Sequence, residues 1–163
     1  MNRKSGLLLA GLLIGIDQAS KTWVESALPF QTQIDIMPLL SFFRTWNTGI
    51  AFSFLAGLSD YVLVGLTLAI IGFVMWLWAR SSPAQFWARL GFAFVTGGAF
   101  GNLVDRLRHG HVVDFILFHT RDWSFAVFNL ADSFITIGAI LIVLDEFIGA
   151  RRTNKINGEA PNG

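Results

Sequence analysis

The stretch Gly97–Ser133, GGAFGNLVDRLRHGHVVDFILFHTRDWSFAVFNLADS, links two apolar segments and carries four aspartates, Asp105, Asp114, Asp122 and Asp132. Asp132 is the odd one. It falls inside Phe125–Leu144, a run with no other charge and long enough to cross a bilayer. A carboxylate at that depth is costly, so its presence marks a functional site. Around it the whole chain reads as a membrane protein. Hydrophobic residues make up 53% of 163 residues and charged ones only 14%, against about 25% in soluble domains. The length allows one domain. A net charge of +1 without a clustered basic face gives no case for nucleic acid. With no cysteine, disulfides, thiolate nucleophiles and Cys-ligated metals are excluded.

Outward from that stretch, the pattern predicts an all-α membrane protein of four transmembrane helices, about 6–28, 61–79, 84–107 and 125–147. Residues 1–152 form a single domain and 153–163 a disordered tail. Arg3 and Lys4 before Leu7–Ile16 could open a cleaved signal peptide, but no small-x-small site follows cleanly and the run continues to Leu28. Pro29 ends helix one. Residues 30–60 have no helical period and many aromatics, among them Trp46, Phe52 and Phe54. They read as a small extracytoplasmic β element with a turn at Asn47–Gly49, lying where aromatic rings gather at the lipid boundary. Helix three carries Gly97-x-x-x-Gly101, a spacing that lets helices approach closely. Residues 109–122 read as a polar loop holding an apolar island around Asp114.

With the N-terminus inside, seven Lys and Arg fall on the cytoplasmic side and five on the other. That bias puts both termini in the cytoplasm. The end of helix one, the 30–60 segment, the end of helix three and the start of helix four then meet near the outer leaflet.

Several chemistries compete for the polar residues gathered there. Asp17, Lys21 and Glu25 form one helical stripe. It is either a self-neutralising surface row or the edge of a buried polar site. Ser20 beside Lys21 points to a different helix face, which weakens a Ser–Lys pair. His109, His111 and Asp114 lack a zinc-helix pattern, so no metal and no cofactor is expected. Two carboxylates, Asp114 and Asp132, fit a water-activating pair that shares a proton. The competing readings are a loop carboxylate for Asp114, an ion pair with Arg106 or Lys21 for Asp132, and a turn residue for Asn47. Asn102, Asp105 and Arg106 share one face of helix three, and Asn129 lies one turn before Asp132.

Five blocks in order, DQASK (Asp17–Lys21), NTGIAF (Asn47–Phe52), GNLVDR (Gly101–Arg106), VVDF (Val112–Phe115) and FNLADS (Phe128–Ser133), resemble the bacterial lipoprotein signal peptidases, also called signal peptidase II. The resemblance spans roughly Gly6–Leu144. It implies an intramembrane aspartic endopeptidase with Asp114 and Asp132 as the catalytic dyad. It implies supporting roles for Asp17, Lys21, Asn47, Asn102, Asp105, Arg106 and Asn129. The implied substrate is a diacylglyceryl-modified prolipoprotein, cut before its lipidated cysteine. The implied place is the bacterial inner (cytoplasmic) membrane, with lipid around the chain, which acts as a monomer. The rival class is a small proton-linked transporter or channel subunit using Asp17, Lys21 and Asp132 as a relay. A relay should spread ionisable groups through the membrane depth, and helix two has none.

Overall fold

The computed structural model describes residues 1–49 and 60–158. Four helices, α1 (Arg3–Ala27), α2 (Asp60–Arg80), α3 (Phe86–His109) and α4 (Leu130–Gly158), are joined at one end by strands β1 (Gln33–Met37), β2 (Leu40–Asn47) and β3 (Val112–Phe118). The helix α3 packs against all three others. Its buried face is built largely of small residues, including Ala88, Gly91, Ala93, Gly97, Gly98 and Gly101. Where hydrophobic driving force between helices is lacking, such faces let backbones approach to van der Waals contact. Two glycines require it. A Cβ on Gly98 would collide with the Ala131 carbonyl of α4, and one on Gly101 would lie 2.6 Å from Asp17 Oδ2 of α1.

The helix faces turned away from this core are apolar. Leu8, Leu12, Leu68, Phe73, Ile140 and Phe147 are all more than half exposed or close to it. A face of that kind has no partner in water and suits lipid. By length and hydropathy, α1 and α2 qualify as membrane spans. The other two helices carry Asp105, Arg106, Arg108, Asp132, Asp145 and Glu146 within their bounds, which lowers their hydropathy.

The sheet corrects the expectation of a β element confined to 30–60. Its order is β1-β2-β3, all antiparallel, so the third strand comes from the segment read as a polar loop. The apolar island there is a strand with Val113, Phe115 and Leu117 buried. The β1–β2 turn lies at Pro38–Leu39, not at Asn47–Gly49. The sheet is fixed to α1 by Arg44, whose guanidinium donates to the last carbonyls of that helix, Glu25 O at 2.9 Å and Leu28 O at 3.1 Å. Positive charge at a helix C-terminus is also favoured by the helix dipole. Phe52 and Phe54 of that aromatic segment lie outside the described residues.

The helix α4 starts at Leu130 rather than 125, and the reason is a reciprocal cap. Asn129 Oδ1 accepts from the Asp132 N–H at 3.0 Å, and Asp132 Oδ2 accepts from the Asn129 N–H at 3.2 Å. This capping box satisfies two otherwise orphaned donors and fixes the helix start. At its other end α4 passes 147 and runs to Gly158, into the segment expected to be disordered. No proline lies between Pro83 and Pro161 to stop it.

Candidate active site

Two clusters of polar groups, the first buried and the second partly so, lie where the sheet meets the ends of α1 and α3 and the start of α4. In the first, the Lys21 ammonium sits 2.8 Å from Asp17 Oδ2 and 2.8 Å from Asp105 Oδ2. It also donates to Asn102 Oδ1 at 2.9 Å. All four side chains are buried. The stripe of α1 therefore faces inward, and Glu25, one turn further, is only half-buried. Asp17 and Asp105 each use their second oxygen on backbone elsewhere or on a neighbouring amide. Asp17 Oδ1 accepts from the Ala131 N–H at 3.0 Å, in the first turn of α4. Asp105 Oδ2 also accepts from the Val113 N–H at 3.2 Å, next to Asp114. One ion cluster thus holds both the helix carrying Asp132 and the strand carrying Asp114.

In the second cluster, Asp114 and Asp132 are held by amides. Asn129 Nδ2 donates to Asp114 Oδ1 at 2.6 Å, and Asn47 Nδ2 donates to Asp114 Oδ2 at 2.9 Å. Asn102 Nδ2 donates to Asp132 Oδ1 at 2.8 Å. Asn129 Nδ2 also reaches Asn102 Oδ1 at 3.1 Å, so Asn102 joins the two clusters through one amide. Asn47 is no mere turn residue. Among the described residues neither Asp114 nor Asp132 takes part in an ion pair, so the competing reading of Asp132 paired with Arg106 or Lys21 is absent. The Arg106 guanidinium donates to Gly49 O at 2.9 Å and lies in the field of Asp132, Asp114 and Asp105.

Burial pushes the Asp114 carboxyl up to about 7, and the nearby Asp132 charge adds to the rise, while the bonds from Asn47 and Asn129 oppose it. A carboxyl poised near neutrality beside a second carboxylate can hold or release a proton during a reaction. Asp114 also opens onto a cavity of about 350 Å³ lined by Thr45, Trp46, Asn47, Thr48, Ala126 and Val127.

The alternatives weighed from sequence fare differently. Ser20 Oγ donates to Asp17 O within its own helix at 2.7 Å, so its hydroxyl is not paired with Lys21. The His111 ring stacks against Trp46 with centroids 4.5 Å apart. Among the described residues no group of three His, Asp or Glu side chains is arranged to hold a metal. Gln18 was missed by sequence reasoning. Its amide donates to Asp105 Oδ1 at 2.7 Å and to Gly101 O at 3.1 Å. It lies one position from Asp17, and helical spacing gives an adjacent residue no reason to share its site.

Comparison with known proteins bears on this arrangement. Residues 9–148 match the family model for signal peptidase (SPase) II. Curated relatives named lipoprotein signal peptidase in Brucella ovis and Brucella canis are 57% identical over 148 residues, covering 91% of this chain and 92% of each relative. Among solved structures, a bacterial membrane enzyme determined at 2.3 Å by the in meso method superposes with a TM-score of 0.80 at 25% identity, covering 99% of this chain and 95% of that one. Another, at 1.9 Å, gives a TM-score of 0.76 at 27% identity, over 87% and 92%.

Proposed function

The chain belongs to the signal peptidase II family, and from that premise we propose that Asp114 and Asp132 are the paired carboxylates with which it cleaves its substrate. It is a membrane hydrolase of the aspartic-protease type that removes signal peptides from prolipoproteins. Two carboxylates sharing one proton can divide the work of peptide hydrolysis. The ionised member takes a proton from water as it attacks, and the protonated member hydrogen-bonds the scissile carbonyl. The pair titrates as a unit, so neither role belongs to one residue alone. Asn47, Asn102 and Asn129 orient the carboxylates without adding charge, and Arg106 supplies positive field beside them.

The single observation that carries this reading is the contrast in partners. Asp17 and Asp105 share the Lys21 ammonium, whereas Asp114 and Asp132 are held by side-chain amides and a backbone N–H, and Asp114 opens onto the cavity. All four helices cross the membrane in this reading, with both termini cytoplasmic and residues 1–152 forming the working unit. The exposed apolar stripe of α4, which includes Ile140, Val143 and Phe147, supports a fourth crossing despite its charged ends. The dyad then lies near the outer leaflet of the inner membrane. There a prolipoprotein anchored by the diacylglyceryl group on its cysteine presents the bond before that cysteine at the same depth. The chain acts as a monomer surrounded by lipid.

The test is cleavage of a diacylglyceryl-modified prolipoprotein by purified wild type, Asp114→Asn and Asp132→Asn, each with and without EDTA. Both variants should fold and bind but lose turnover, and the chelator should change nothing. Substantial turnover by either variant, or abolition by EDTA, sinks the dyad.

A further inference from the structure

After β3 the chain turns and runs back along that strand's free edge. Phe125 N–H donates to Phe118 O at 2.8 Å, and Phe128 and Ile116 exchange both backbone bonds at 3.0 and 2.8 Å. Between these two anchor points β3 has one residue, Leu117, and the returning segment has two, Ala126 and Val127. Two residues facing one is the signature of a β-bulge, a device found beside active sites. Among the described residues, neither the N–H nor the C=O of Ala126 or Val127 has a hydrogen-bond partner. Both residues are half-buried. Unpaired peptide groups in a partly desolvated place are costly, because the fold leaves most such groups satisfied.

These same two residues wall the cavity that holds Asp114 and Asn47. Their side chains are small and aliphatic, so what they can offer a ligand with direction is backbone. We propose that the Ala126–Val127 bulge is the docking rail for the extended backbone of the substrate polypeptide. Its N–H groups donate to substrate carbonyls, its C=O groups accept substrate amides, and the scissile carbonyl is laid against Asp114. Recognition of this kind tolerates varied side chains, because the bonds are made main chain to main chain. The inference rests on Asp114 being a catalytic carboxylate, and it adds the group that positions the bond to be cut.

The test pairs the substrate's backbone with the enzyme's. A diacylglyceryl-modified lipobox peptide is prepared with each amide near the cleaved bond replaced in turn by an ester, which removes one donor and weakens one acceptor. With wild-type enzyme, one or two of these esters should raise KM by roughly tenfold, the worth of one hydrogen bond, and the rest should not. The variant Val127→Pro, which lacks the N–H, should raise KM for the all-amide peptide by a similar factor. It should add little more with the sensitive ester. A flat ester scan overturns the rail, as does a Val127→Pro enzyme no different from wild type, or effects of variant and ester that simply multiply. If Val127→Pro does not fold, the scan on wild type still decides. Failure of the dyad is distinct, because it appears as turnover surviving in Asp114→Asn while the KM pattern is untouched.

Discussion

The molecule contains two pairs of carboxylates, all buried except the half-buried Asp132, and they are treated in opposite ways. Asp17 and Asp105 have an ammonium between them, with both contacts at 2.8 Å. Asp114 and Asp132 have only amides and backbone N–H groups. A cation between two carboxylates supplies compensating charge and commits them to one geometry, which suits a structural post. Amides hold the shape but do not supply compensating charge, and burial then lifts the carboxyl of Asp114 to about 7. The lesson is that buried charge alone does not distinguish scaffold from chemistry; the identity of the neutralising group does.

The largest expected effect breaks the comparison on its catalytic side. Asp114→Asn and Asp132→Asn should each lower turnover by at least about 10³-fold, in the range for loss of a positioned acid or base. Their thermal unfolding in detergent should stay close to wild type. A variant that loses activity only because it unfolds would move that aspartate into the scaffold class.

On the other side, Lys21→Met leaves two carboxylates buried without their cation. Stability should fall by about 3–5 kcal/mol, the cost of breaking one member out of a buried pair. Denaturation midpoints measure it. Adding Asp17→Asn and Asp105→Asn to Lys21→Met removes the stranded charge, so most of the lost stability should return. A triple variant as unstable as the single one would mean that the ammonium does more than neutralise.

A pH profile sharpens the contrast. Because the Asp114 carboxyl is raised from 3.8 to about 7, the folded protein holds a proton between those values that the unfolded chain releases. Folding stability from this group therefore falls as pH rises through that window. Cleavage should likewise decline above pH about 7 as the pair's shared proton is lost. Asn47 donates to the ionised form and opposes the rise. Asn47→Ala should therefore move the alkaline limb to higher pH and slow turnover several-fold; an unmoved limb would place the titration on another group.

The smallest effect tests Gln18, which belongs to the scaffold. Gln18→Leu leaves Asp105 Oδ1 without its amide donor and should cost about 1–2 kcal/mol, with the pH profile unchanged. A shifted profile would show that the two clusters titrate together.

The sequence by itself determined the class of this protein and named most residues of its candidate site. Long uncharged runs and a scarcity of charge imply a membrane, since only lipid accommodates so much apolar surface. Asp132 was legible because a carboxylate in such a run is costly. Asp17 with Lys21, and Asn102 with Arg106, were legible because helical spacing of four places side chains on one face. Asp114 was paired with Asp132 as one of several readings of the residues and again through the family's VVDF block, but its setting was misread, because four apolar residues around one carboxylate look alike in a loop and in a short strand. Only the tertiary structure placed that strand beside β2, started α4 after Asn129 and brought Gln18 to Asp105. It also decided which carboxylates received Lys21 and which received only amides. Periodicity reports the face on which a residue lies, not what another part of the chain sets opposite it, and partner choice is a contact between elements as far apart in sequence as Asp17 and Ala131.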